Sequence, residues 1–116
     1  MTAQQVFLVS LRLIAEQARW TQGAFALAAD GYFAPPNRSD AVCWCSVGAV
    51  LHTVNENTVA AFKIDPKAPA TIVLNAMDEE SRKHGALCLS DYNDNRSHAE
   101  VLQLWGQCGR RMGWIS

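Results

Sequence analysis

The stretch Asp40-Ala-Val-Cys-Trp-Cys-Ser-Val-Gly-Ala-Val-Leu-His52 constrains the fold more than any other. Between Val42 and Val54, apolar side chains fall on nearly every side of a helical wheel. A helix of that kind is stable only where neighbours cover all of it. The segment therefore reads as a helix capped by Asp40 (or Ser39), running to about Val54 and lying at the centre of the molecule. Gly48 costs such a helix about 1 kcal/mol relative to Ala, a cost that makes sense where another backbone comes close.

The other elements arrange themselves around this one. Thr2 and Gln5 form a capping box that opens a first helix, about Ala3 to Arg19. Phe7, Leu11, Ile14 and Ala18 recur at helical spacing, Leu8 and Ala15 widen the stripe, and Ser10, Arg12, Glu16, Gln17 and Arg19 hold the wet side. From Gly23 the period changes. Ala24 to Ala28, the Asp30-Gly31 turn and Tyr32-Phe33-Ala34 read as a short hairpin, although the alanines also permit helix. Pro35-Pro36 ends that unit.

Thr58 to Phe62 reads as one short helical turn. A third long helix is expected over about Ala70 to His84, with Ile72, Val73, Ala76, Met77 and the stem of Glu80 facing inward. Gly85 suits its left-handed cap. Leu87 to Leu89 reads as extended and Asp91 to Asn95 as a polar turn. Ser97-His98-Ala99-Glu100 is a second capping box, opening a last helix through about Met112. The fold class is thus mainly α: a compact bundle of about four helices with one short β-hairpin. One domain is expected over residues 1–116, with a C-terminal tail, 110–116, that has freedom to move.

Charge narrows the function classes. Ten basic against eleven acidic side chains are interspersed along the chain. The nearest thing to a basic cluster is Arg110-Arg111, against the ~6–10 phosphate contacts of a nucleic-acid footprint, so nucleic acid is not an expected partner. No apolar run approaches the ~20 residues that span a bilayer. The start of the chain lacks a basic leader. A cytoplasmic setting follows as the expectation, with Cys43, Cys45, Cys88 and Cys108 as reduced thiols.

Neither a metal nor a cofactor is expected. Structural zinc takes paired knuckles on turns, whereas Cys43 and Cys45 sit in a predicted helix with sulfurs facing apart. Asp91-x-Asn93-x-Asn95 opens like a calcium loop but has Arg96 and Leu102 where that motif needs Gly and Glu.

Three functional readings remain. The first is a non-catalytic protein–protein contact through Trp114, Arg110, Arg111, Tyr32 and Phe33, aromatic and arginine side chains expected near the surface. Trp114 either folds back onto the core or stands out as an anchor. The second is a thiol-dependent hydrolase or transferase. In it Cys45 (or Cys43), activated by a helix N-terminus, would be the nucleophile, His98 the base, and Asp94 or Asn93 the group that orients the imidazole. The third is a small-ligand or nucleotide-binding module using the helix N-termini at Asp40 or Ser97.

Four segments occur in order: Trp20-Thr-Gln-Gly23-Ala24, the Asp30-Gly31 turn, Ala41-Val-Cys-Trp44-Cys45-Ser-Val-Gly48-Ala49, and Asn93-Asp94 ahead of His98-Ala99-Glu100-Val101. This arrangement resembles a small bacterial and phage domain family of unknown function, with W-x-Q-G-A, a hairpin-like stretch, W-C-x-x-G-A, and N-D before a final helix. Cys43 and the Arg110–Ser116 tail lie outside that pattern, which leaves Cys45 as the matching thiol. The resemblance implies a small cytosolic accessory protein carried by phages or mobile elements, modulating a host or defence protein, and transfers no activity.

Overall fold

Helices supply most of the computed structural model, which describes residues 1–61 and 65–116. Helix α1 spans Ala3–Ile14, and its capping box is complete: Thr2 Oγ1 accepts from the Gln5 N–H while Gln5 Oε1 accepts from the Thr2 N–H. It stops at Ile14, short of Arg19, and a separate 3-10 turn covers Gln17–Arg19. That break lets the chain swing Trp20 alongside Trp44, where Thr21 N–H reaches the Trp44 carbonyl. Ser10, expected on the wet side, is buried; its hydroxyl bonds Thr53 Oγ1 at 3.0 Å across the contact with the next helix.

The largest departure from the sequence reading concerns residues 41–45. Ala41–Trp44 is a strand, β2, paired antiparallel with β1, Ala26–Ala28. Ala26 faces Trp44, Leu27 faces Cys43 and Ala28 faces Ala41, with a bulge between Leu27 and Ala28. The Asp30-Gly31 turn forms where expected, with Gly31 at φ +85° and Leu27 bridged to Phe33. That return makes a single bridge, while the ladder itself runs on to β2. A short apolar run has the same hydrophobic pattern as buried strand or buried helix, and the partner strand decides between them.

Helix α2 is accordingly shorter than expected, Ser46–Thr53, and Cys45 rather than Asp40 is its N-cap. Strand passes into helix at one residue, since the Cys45 N–H still donates to the Phe25 carbonyl at 3.2 Å. Every residue from Ser46 to Leu51 is buried, as the all-round apolar pattern requires. Gly48 serves close approach: a Cβ there would stand 1.8 Å from the Phe25 carbonyl oxygen.

A 3-10 turn at Val59–Ala61 lies within the helical turn expected over 58–62, of which Phe62 falls outside the described residues. Helix α3, Pro69–Lys83, sits within a residue or so of its predicted span. Helix α4, Leu89–Asn95, stands where an extended segment and a turn were expected. Its first N–H, on Leu89, is capped by Asp78 Oδ1 from α3 at 2.8 Å, while Asp91 Oδ2 accepts from the Leu87 N–H. A cap donated by another helix leaves no local signature.

Helix α5, His98–Met112, opens on the predicted Ser97/Glu100 capping box. Val6, Phe7 and Ile14 of α1 meet Val50 and Leu51 of α2, Val73 and Met77 of α3, Leu89 of α4, and Val101, Leu104 and Trp105 of α5 in one core. The end of the chain folds back on it. Trp114 N–H bonds the Gly109 carbonyl at 2.8 Å, its ring lies 5.2 Å from that of Phe7, and Gln4 Nε2 donates to its carbonyl. Among the described residues, no helix is long and apolar enough to cross a membrane.

Candidate functional site

The side chain that organises the molecule's polar interior is Asn93, on α4 and 0% exposed. Its Oδ1 accepts from Trp20 Nε1 (2.8 Å), the Ser46 N–H (3.0 Å) and Ser46 Oγ (2.8 Å). Its Nδ2 donates to the Thr21 carbonyl and to Asp94 Oδ1, both at 3.1 Å. Three donors converge on one end of the amide and two acceptors on the other, so its orientation follows from its neighbours. Trp105 extends the network by donating from Nε1 to Ser46 Oγ at 3.0 Å. Gln22 Nε2 donates to the carbonyls of Asn93 and Arg96, and the Gly23 N–H donates to Asp94 Oδ1 at 3.0 Å. Three of the segments that carry the resemblance, 20–24, 41–49 and 93–94, are thereby knotted together.

A concavity of about 280 Å³ opens beside this knot, lined by Gly23, Ala24, Phe25, Cys45, Ser90 and Asp94. Cys45 reaches it while only 4% exposed. Its Sγ caps α2 by accepting from the Gly48 N–H at 3.3 Å. Two effects act on this thiol in opposite directions. Burial disfavours the thiolate, and the carboxylate of Asp94 adds to that; the N–H groups of Gly48 and Val47 favour it. Burial wins, and the thiol is pushed up to about 11. The helix N-terminus, which by itself would lower it, is outweighed because the sulfur has left water. At neutral pH Cys45 is a neutral thiol.

His98 is engaged elsewhere. Its Nε2 lies 2.7 Å from the Ile14 carbonyl and its ring lies 5.2 Å from that of Trp20, tilted at 44°. A carbonyl can only accept, so Nε2 carries the hydrogen. Among the described residues neither Cys45 nor Asp94 is hydrogen-bonded to His98. Cys45 and Asp94 therefore share a pocket, and the imidazole serves the end of α1. His52 is fixed the same way, Nδ1 against the Pro36 carbonyl at 2.7 Å, and His84 meets Gln107 Oε1 at 2.8 Å. Cys43, on β2, and Cys88 are half-buried, whereas Cys108 is fully buried and burial pushes its thiol up to about 11 as well.

The expected contact residues divide. Tyr32 and Phe33 are 76% and 80% exposed, and Arg110 lies on the surface. Arg111 instead pairs with the buried Glu80 at 2.8 Å and donates to the Ala76 carbonyl, while Trp114 is packed on Phe7. Of the helix N-termini weighed as ligand sites, Asp40 lies ahead of a strand in an exposed pair with Arg38, and Ser97 is occupied by its own capping box.

Asn93 carried the signal that sequence reasoning under-read, an amide among polar turn residues whose buried partners lie some 47 and 73 positions away. No curated protein and no solved structure matches the chain. The model of a family of unknown function, DUF6197, matches residues 1–111, and the chain belongs to that family.

Proposed function

We propose that this protein is a non-catalytic binding module that docks on another protein through the Tyr32–Phe33 tip. The carrying observation is an aromatic pair held out in water on a backbone that is already ordered. Tyr32 and Phe33 are the only aromatic side chains among the described residues that are more than half exposed. The tip beneath them is closed by Gly31 N–H to the Ala28 carbonyl, Ala28 N–H to the Tyr32 carbonyl and Tyr32 N–H to Asp30 Oδ1, at 2.9, 2.9 and 3.0 Å. Behind it the Pro36 carbonyl takes both the Trp44 indole N–H and His52 Nδ1.

Aromatic anchors on a pre-ordered loop bind with little further loss of freedom, which is where affinity is usually spent. In the setting the resemblance implies, the partner is a host or defence protein met by a phage- or mobile-element-borne chain. Thiol catalysis is the weaker reading, because Cys45 is protonated at neutral pH and His98 serves Ile14.

Affinity capture from the native host with the wild-type chain and with Tyr32→Ala/Phe33→Ala tests this. The expected result is a specific protein lost from the double variant, with binding of the purified partner weakened by at least about 2 kcal/mol. An identical captured set from both chains would overturn it.

A further inference from the structure

We infer that the concavity lined by Gly23, Ala24, Phe25, Cys45, Ser90 and Asp94 binds a small alkylammonium group, with Asp94 as its counter-ion and Phe25 and Ala24 as the wall for its carbon chain. The inference is separate from the Tyr32–Phe33 reading and uses none of those residues. Among the described residues no cationic side chain lines the cavity, and Asp94 is the one carboxylate that does, so the field these residues set there favours a cation over an anion. Asp94 Oδ1 is already held by the Gly23 N–H and Asn93 Nδ2, which fixes the carboxylate through a network anchored in the core. Among the described residues Oδ2 accepts no hydrogen bond, and the Ser90 hydroxyl makes none either.

One open oxygen on an immobilised carboxylate suits a point charge with rotatable donors. A guanidinium gains most when it can use both oxygens, and one of these is taken. Phe25, 40% exposed, lines the same cavity as Asp94, and an aromatic residue is a favourable neighbour for a cation. The size also fits: about 280 Å³ lies just below the usual range for drug-sized ligands, and holds an alkylamine or a single lysine side chain. A metal ion is a poorer match, since one carboxylate and one neutral thiol do not make a donor set.

The test is a two-dimensional amide NMR titration of the full chain with n-butylammonium, n-butylguanidinium and uncharged n-butanol. n-Butylammonium should shift the amides of Gly23, Phe25 and Asp94, more strongly than n-butylguanidinium and with n-butanol inactive. Asp94→Asn keeps the Oδ1 acceptor for Gly23 but removes the charge, and should weaken the binding by about tenfold or more. A blocked lysine peptide separates the two sources of the group. Shifts from the peptide as well as the free amine identify a partner's lysine, and shifts from the free amine alone identify a small metabolite. No shift at these amides, equal shifts with n-butanol, or undiminished affinity in a natively folded Asp94→Asn would overturn the inference. Should Asp94→Asn lose its native spectrum, Ser90→Leu, which fills the cavity from outside the Asn93 network, is read on the same terms.

Discussion

The Asn93 knot and the Tyr32–Phe33 tip lie on either side of the same small sheet and solve opposite problems. At the centre of the knot, the Asn93 and Ser46 side chains are taken out of water and given partners, so a change there is costly. At the tip, apolar rings are left in water on a backbone that is itself well bonded, so the rings can change while the fold stays. The contrast separates what holds this protein together from what can change at little cost to the fold.

Removing the centre of the knot should have the largest effect. Asn93→Leu takes their partner from the buried Ser46 N–H and from the part-buried Trp20 indole and Thr21 carbonyl. Urea unfolding should show a loss of about 4 kcal/mol or more; a loss under about 1 kcal/mol would mean the knot is ornamental. Gly48→Ala comes next. Alanine improves helix propensity by about 1 kcal/mol, yet its Cβ would stand 1.8 Å from the Phe25 carbonyl oxygen, a backbone atom tied into the sheet. A net loss of about 2 kcal/mol is expected in thermal unfolding, and a higher Tm would refute the close approach.

The buried thiols predict an alkaline weakness of similar size. Below the ordinary thiol value of 9.0, Cys45 and Cys108 are protonated in folded and unfolded chains alike, so stability is indifferent to them. Between 9 and about 11 the unfolded chain releases those protons while the folded chain keeps them, so stability falls as pH rises and the loss is complete above about 11. Each thiol should account for on the order of 2 kcal/mol. Unfolding free energies measured across that window should decline with about half the slope in Cys108→Ala. The smallest effect belongs to the tip: Tyr32→Ala/Phe33→Ala should move stability by no more than about 0.5 kcal/mol. A larger change would show that the rings support the hairpin, and would remove the reason to read them as a contact.

Much of the scaffold was legible locally. Both capping boxes, the Asp30-Gly31 turn and the spans of α3 and α5 depend on residues within a few positions of each other, and they stand where the sequence puts them. The segments 20–24, 41–49 and 93–94 stood out in the sequence too, but not why they belong together. What failed was every assignment that a distant segment decides. Residues 41–44 turned from helix to strand because β1 was there to pair with them, and 89–95 turned from loop to helix because Asp78 capped it.

By itself the sequence determined the class of fold, the starts of α1 and α5, the span of α3 and the need for a central apolar element, since each rests on short-range periodicity and on caps whose partners are neighbours in the chain. Tertiary structure alone decided that the Cys45 sulfur caps α2 and is nearly buried, that His98 Nε2 bonds the Ile14 carbonyl, and that Asn93 is a structural centre. Those outcomes depend on desolvation and on hydrogen bonds between segments tens of residues apart, and neither quantity exists until the chain has closed on itself.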